Sequence, residues 1–132
     1  MEMLVDFPGG LKVDAHFSEF CVSTDQPVRD GGENSAPSPF MMFLASLATC
    51  AGYYVLAFCR QHNLSTEGIR LVQSMESDQA TGKLVKVSIE IQVPPTFPEK
   101  YHDALVRSAD QCKVKKTVEH PPVFEVNTRV VS

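Results

Sequence analysis

Four cysteines, at positions 21, 50, 59 and 112, are the residues of this chain best suited to chemistry. An ionised thiol is a nucleophile and a metal ligand, so the positions raise the question of which thiols are activated. No two cysteines form a CxxC pair, and the four histidines are scattered, at positions 16, 62, 102 and 120. This spacing predicts no zinc site or other metal site.

Two of the thiols are expected to serve in packing. A buried cysteine usually behaves as a small hydrophobic residue. The helical period of about 100° per residue places Cys59 on the face opposite Cys50, so these two cannot act together. Cys21 lies on a predicted strand and receives the same interpretation.

Cys50 and Cys112 differ in their surroundings. Cys112 lies in a polar segment with Lys113, Lys115 and Lys116, and nearby positive charge is expected to favour its thiolate. Cys50 has no such charge in its neighbourhood and lies in the middle of a predicted helix, away from that helix's N-terminus. From the residues alone, Cys50 has either a reactive or a packing role.

The element that must position Cys50 is the apolar segment 37–63, which carries no charge from Phe40 to Cys59. Ser38 and Pro39 are typical of the N-cap and first position of a helix. A helix that is apolar nearly all round is buried in protein or in lipid. Its length would also span a bilayer, but the strands around it favour a buried protein helix, packed within the chain or against a second subunit.

The remaining pattern predicts strands at 4–7, 11–17, 20–23, 69–76 and 84–93, a second helix at 98–110, and a final strand at 123–131. A polar loop occupies 25–38, and Cys112 falls in a short polar stretch that we expect to contain a helical turn. The order of elements predicts one α+β domain over residues 1–132.

Composition and net charge exclude some classes of function. The chain has 132 residues, of which 43% are hydrophobic and 21% charged, with a net charge of −4. This size and composition suit a globular domain with its own core, and the negative charge argues against a nucleic-acid partner. The N-terminus lacks the pattern of a signal peptide, so we expect a cytoplasmic location, no membrane partner, and reduced thiols.

Two motifs resemble the OsmC/Ohr family of osmotically inducible and organic hydroperoxide resistance proteins. Ser38-Pro39, followed by an apolar helix that ends in Leu47-Ala48-Thr49-Cys50, resembles that family's central helix. The segment from Ala109 to Val118, ADQCKVKKTV, resembles its helix followed by CPVSKxL. The separation of the two cysteines and the order of elements also resemble the family along the whole chain.

The resemblance implies antiparallel sheets around a long buried central helix, and an intertwined homodimer with two sites near the interface. It implies that Cys50 attacks a peroxide and becomes a sulfenic acid, and that Cys112 then forms a disulfide with it. A dithiol, such as the dihydrolipoyl group used by the hydroperoxide-resistance branch, would reduce this disulfide. The implied chemistry requires no metal and no cofactor.

The chain departs from the peroxidase pattern at two positions that stabilise the thiolate. Peroxidase members carry a glutamate directly after the helix-start proline, where this chain has Phe40. They also carry an arginine in the N-terminal hairpin, and the hairpin of this chain has no arginine. Lys12 and Arg29 are the candidates to supply the missing charge, and Glu33 is the candidate to orient either one. Lys113 replaces the proline of CPVSK.

Three functions therefore stay open at this point. The leading hypothesis is a thiol-dependent peroxidase that reduces organic hydroperoxides. A second is a non-catalytic protein of the same fold that binds small molecules or senses redox state, which the absent charged pair would suit. In a third, both cysteines serve only in packing.

Overall fold

Alternation of apolar and polar residues between Lys12 and Phe17 forms the middle strand of a three-stranded antiparallel sheet. In the computed structural model, which describes residues 1–131, this sheet has the order β1-β2-β3. Its strands are β1 (Leu4–Gly9), β2 (Lys12–Phe17) and β3 (Phe20–Thr24). Ser18 adopts a φ of 51° in the tight turn between β2 and β3. The predicted N-terminal meander is confirmed.

The apolar segment forms one continuous helix, α1 (Pro39–Gln61). Ser38 caps it, because its Oγ accepts a hydrogen bond from the Met41 N–H at 3.3 Å. The helix ends two residues earlier than the predicted Asn63, which has a φ of 55°. By length and composition α1 could also cross a membrane, a test that the core helix of a globular protein passes as well.

Helix α1 is buried along one stripe and exposed along another. Leu47, Ala51 and Cys59 are among its buried residues, whereas Tyr53 is 61% and Leu56 is 40% exposed. In the single chain α1 is therefore buried along one face, and burial of its remaining surface against a second subunit stays a prediction. The buried residues Leu47, Ala51, Val55 and Phe58 are three to four positions apart, which is the spacing of one helical face.

The core lies between α1, a hairpin and a second helix. The hairpin consists of β4 (Arg70–Ser77) and β5 (Leu84–Gln92), as predicted, and the second helix is α2 (His102–Ala109), preceded by the 3-10 turn Glu99–Tyr101. The buried cluster consists of Val55, Phe58, Cys59, Phe97 and Leu105. A further helix, α3 (Lys113–Glu119), follows α2 closely, where a short helical turn was expected.

The predicted final strand at 123–131 is wrong. Residues 121–131 form neither helix nor strand, and their apolar side chains are exposed, Val126 by 99% and Phe124 by 82%. Alternation alone does not make a strand, because a strand also needs a neighbour to complete its backbone hydrogen bonds.

The chain divides into two compact units, residues 1–46 and residues 47 onward, with the boundary inside α1. The first contains the three-stranded sheet and the second contains the hairpin, α2 and α3. Ser132, the last residue of the predicted domain, lies outside the described residues.

Candidate functional site

Cys50 and Cys112 lie close to each other in the second unit. Cys50 is half-buried in the middle of α1, and Cys112 is the N-cap residue of α3, only 2% exposed. The Lys115 N–H donates to Cys112 Sγ at 3.4 Å, so the thiol acts as the cap of this helix. Cys112 Sγ also lies 3.8 Å from the carbonyl oxygen of Leu47, one turn before Cys50. The start of α3 is thereby held against α1.

Three hydrogen-bond donors, from Lys113, Val114 and Cys112, act on the pKa of the Cys50 thiol. Burial raises the pKa of its thiol, but the Val114 N–H, the Cys112 thiol and the Lys113 N–H all donate to Sγ and outweigh burial. The pKa of Cys50 therefore lies below its ordinary value. Donors directed at a sulfur stabilise its charged form, as an arginine would.

The backbone donors come from the first turn of α3, where N–H groups have no partner inside the helix. Cys50 lies too far from the N-terminus of its own helix to use it, and no pattern in the sequence places the start of another helix opposite it. The replacement of the family's proline by Lys113 matters here. Proline has no N–H, so the residue at this position supplies a donor that a proline could not.

Cys112 has the opposite preference. Burial raises the pKa of its thiol, and its hydrogen bond to Cys50 raises it further. The expectation that the neighbouring lysines favour a Cys112 thiolate is therefore wrong. Lys115 Nζ pairs with Asp110, and Lys116 Nζ donates to Gln111 Oε1 at 2.6 Å. The pKa of one thiol of the pair is thus lowered, and the pKa of its neighbour is raised.

The other two cysteines have different environments. Cys59 is fully buried in the core, and burial raises the pKa of its thiol, which confirms the expected packing role. The expected packing role of Cys21 is wrong, because this residue is exposed on β3. The α3 donors to Cys50 thus have no counterpart in what the structure describes around Cys59.

The residues expected to activate the thiolate lie in the first unit. Lys12 Nζ pairs with Glu33 Oε2 at 3.0 Å, and this hydrogen bond and charge raise the pKa of Lys12. Arg29 lies in the 3-10 turn Val28–Asp30, is 86% exposed at its side chain, and has its Nε 3.9 Å from Asp30 Oδ2. Phe40 lies in the first turn of α1, with its ring 5.9 Å from that of Phe43. A thiolate-activating role for Lys12, Arg29 and Glu33 stays a prediction.

Asp25 organises the predicted polar loop 25–38. Its carboxylate is 1% exposed and accepts hydrogen bonds from the Gln26 N–H at 2.7 Å and from the Ser35 hydroxyl and N–H at 2.6 and 3.0 Å. These bonds, led by the Ser35 hydroxyl, lower its pKa to about 2. The sequence signal was an aspartate in a segment rich in glycine, serine and asparagine, where such side chains bond to nearby backbone.

A cavity of about 640 Å³ adjoins Cys112. Its walls are mostly apolar, and they include Leu47 and Ala51 of α1, together with Val87 and Ile89 of β5. Cys112 lines this cavity, and four charged residues also border it, namely Glu90, Asp110, Lys115 and Glu119. A small molecule with an apolar chain would fit here with a thiol at its wall.

Comparison with known proteins supports the fold. A protein from Psychrobacter arcticus, provisionally described as an osmotic stress induced and detoxification response protein, is 22% identical with a TM-score of 0.73, over 87% of this chain and 85% of that one. An organic hydroperoxide resistance protein OsmC from Legionella pneumophila, also described as a predicted redox protein, is 20% identical with a TM-score of 0.58, over 89% of both chains.

No functionally curated protein matches the chain significantly. The family model described as OsmC-like protein matches residues 32–127, which include both Cys50 and Cys112. This chain therefore belongs to the OsmC-like protein family.

Proposed function

We propose that this protein is a thiol-dependent peroxidase that reduces organic hydroperoxides through Cys50 and Cys112. The observation that carries the proposal is the set of donors at Cys50 Sγ, which lowers the pKa of that thiol beside a protonated partner. A thiolate attacks an O–O bond whereas a thiol does not, and a second thiol must be close to trap the product.

In the first step, Cys50 Sγ attacks the terminal oxygen of the hydroperoxide. A sulfur–oxygen bond forms, the O–O bond breaks, and the alkoxide leaves and takes a proton to become an alcohol. We infer that the Cys112 thiol, whose pKa is raised by burial and by its interaction with Cys50, supplies this proton. Its loss would convert Cys112 into the nucleophile that the next step needs.

In the second step, Cys112 Sγ attacks the sulfenic acid of Cys50. A disulfide forms and hydroxide leaves, to be protonated to water. All four cysteines are free thiols in the structure, which corresponds to the reduced enzyme at the start of this cycle.

A dithiol then returns the pair to its reduced form. In thiol–disulfide exchange, the sulfur of lower pKa is the better leaving group. Attack on Cys112 would expel Cys50, whose pKa is lowered, and Cys112 is the sulfur that lines the cavity. We infer that the alkyl part of the hydroperoxide and the chain of a dithiol such as a dihydrolipoyl group use this apolar cavity in turn.

The direct test is steady-state consumption of hydroperoxide by the reduced protein, with dihydrolipoamide as reductant. Several alkyl and aryl hydroperoxides are compared with hydrogen peroxide at equal concentration. We expect turnover with the organic substrates and a lower kcat/KM for hydrogen peroxide, which cannot fill an apolar cavity. Absence of turnover with every organic hydroperoxide would contradict the proposal.

The cavity also supports a second candidate, a non-catalytic protein that binds a small molecule or senses redox state. Phe40 replaces the acidic residue of the peroxidases and enhances the apolar character of the chain at this helix start. The rate of alkylation of Cys50 against pH separates the two functions. A pKa near or above about 8.5 favours binding or sensing, and one below about 7.5 favours the peroxidase.

We further propose that the protein is a homodimer in the cytoplasm, where thiols remain reduced. Exposed apolar residues that a second subunit could cover support the dimer. They include Tyr53 and Leu56 on α1 and Val126 in the C-terminal segment. Sedimentation should show a dimer, and Leu56→Glu should shift it toward monomer. A monomer for the unaltered chain at micromolar concentration would contradict this assembly.

A further inference from the structure

Polar side chains gather on one face of the three-stranded sheet, in the first unit. Strand register pairs His16 with Cys21 across β2 and β3, and pairs Asp6 with Asp14 across β1 and β2. Residues two apart on a strand share a face, as do directly paired residues. Asp6, Asp14, His16 and Cys21 therefore all lie on one face, although they are dispersed in the sequence.

Three of these residues bring ligand atoms close together. One carboxylate oxygen of Asp14, one ring nitrogen of His16 and Sγ of Cys21 all lie within 4.8 Å of one another. Ligands of a tetrahedral zinc ion, bound at about 2.0–2.3 Å, are roughly 3.4–3.8 Å apart. The three donors therefore need to approach one another by up to about 1 Å, which side-chain rotation can provide because none of the three residues is buried.

Asp6 prepares the imidazole for such a role. Its Oδ1 and Oδ2 lie 3.3 and 3.2 Å from His16 Nε2. When Nε2–H is donated to this carboxylate, the lone pair of the neutral ring is on Nδ1. Histidines that bind metals commonly donate their other N–H to a carboxylate in this way, which fixes both the tautomer and the ring orientation.

We propose that Asp14, His16 and Cys21 form a binding site for a divalent transition metal, with Zn²⁺ as the best fit, and that Asp6 orients His16. A thiolate, an imidazole and a carboxylate suit zinc, whereas calcium and magnesium prefer oxygen ligands alone. Water completes the fourth position. Metal binding displaces the Cys21 thiol proton to solvent and links β2 directly to β3.

The scattered histidines and the lack of a CxxC pair predicted no metal site. Such motifs detect ligands that lie close together along the chain. Here the ligands come from adjacent strands, and the tight turn at Ser18 places His16 opposite Cys21. The site involves neither Cys50 nor Cys112, so it is independent of the proposed peroxidase.

Titration with Co²⁺ tests the site, because a cobalt–thiolate bond produces a charge-transfer band that reports the sulfur ligand. The metal-free reduced protein is titrated first, followed by competition with Zn²⁺. The redox pair is itself a dithiol that could bind metal, so the titration is repeated on Cys50→Ser/Cys112→Ser. We expect that double variant to retain one equivalent of cobalt with the thiolate band.

Single variants then assign the ligands. Cys21→Ser should remove the band and weaken binding by more than about 100-fold, and Asp6→Asn should weaken it by about 10-fold. Ser23→Ala, on the same sheet face, is the matched control and should bind as the unaltered protein does. Far-UV circular dichroism checks that each variant is folded.

Two results would overturn the site. One is loss of cobalt binding in the double variant, which would assign the metal to Cys50 and Cys112. The other is unchanged binding in folded Cys21→Ser. Neither result bears on hydroperoxide turnover, so failure of the metal site is distinguishable from failure of the proposed peroxidase.

Discussion

Cys50 and Cys59 are two thiols of the same helix, and their surroundings differ completely. Cys59 faces the core, is fully buried, and has a pKa raised by burial. Cys50 faces the start of α3 and has a pKa lowered by two backbone N–H groups and a neighbouring thiol, although burial opposes this. The apolar character of a helix therefore does not decide whether its thiols are reactive.

What decides it is the element packed opposite. The start of α3 presents N–H groups that its own helix cannot use, and these are directed at Cys50. Backbone donors can thus stabilise a thiolate where the charged pair of the peroxidase pattern is absent. Asp25 is stabilised in the same way. Its buried carboxylate accepts hydrogen bonds from N–H groups and from a hydroxyl, and none of the described bonds to it comes from a cation.

The largest expected effect comes from substituting the two thiols of α1 one at a time. Cys50→Ser should reduce hydroperoxide consumption to the rate without enzyme, because a serine hydroxyl is not ionised at neutral pH. Cys59→Ala should retain activity within about twofold and lose about 1 kcal/mol of unfolding free energy, measured in urea. Equal losses of activity in both folded variants would remove the distinction between the two thiols.

Removal of the resolving thiol should have the next largest effect. Cys112→Ser should strongly slow turnover with the dithiol after one oxidation, because no protein thiol remains beside Cys50 to trap the sulfenic acid. Labelling with dimedone and mass spectrometry should find the sulfenic acid at Cys50, followed by sulfinic acid at excess peroxide. If Cys112→Ser turned over at the rate of the unaltered protein, a different thiol would have to act as the resolving one.

Removal of one backbone donor should have a moderate effect. Lys113→Pro deletes an N–H at the first position of α3, where proline is well tolerated, and the preceding Cys112 already has the extended ψ of 119° that proline favours. Loss of a hydrogen bond worth about 0.5–1.5 kcal/mol should raise the pKa of Cys50 by about half to one unit.

The control for that change is Lys113→Met, which removes the charge and keeps the N–H. Alkylation of Cys50 with iodoacetamide, measured against pH, gives both values. The rate at neutral pH should fall in Lys113→Pro, since a higher pKa leaves less thiolate, and should change little in Lys113→Met. The reverse order would assign the stabilisation to the lysine charge.

The smallest effect is expected from the cations of the first unit. Lys12 already pairs with Glu33, and Arg29 is largely exposed, so solvent screens its charge. Lys12→Met and Arg29→Met should each move the pKa of Cys50 by less than about 0.3 units in the same alkylation assay. A rise of one unit or more in either variant would show that the cation, as the sequence suggested, activates the thiol.

The sequence predicted the elements well where local pattern and turn chemistry agree, as in the meander up to Phe20–Thr24 and the helix that begins at Pro39. It failed at 123–131, because alternation specifies a face and does not supply a neighbouring strand. Motif resemblance identified Cys50 and Cys112, but no pattern in the sequence could show that Lys113 and Val114 direct backbone N–H groups at Cys50. Such donors belong to every residue type except proline, so they leave no trace in composition.

Mass spectrometry after peroxide treatment shows whether Cys50 and Cys112 react with each other. The reduced protein is treated with one equivalent of an alkyl hydroperoxide, alkylated, digested without reductant and analysed. We predict a disulfide that links the peptides of Cys50 and Cys112, while Cys59 remains a free thiol. Recovery of Cys50 and Cys112 as separate alkylated thiols, with the peroxide unconsumed, would contradict the central claim.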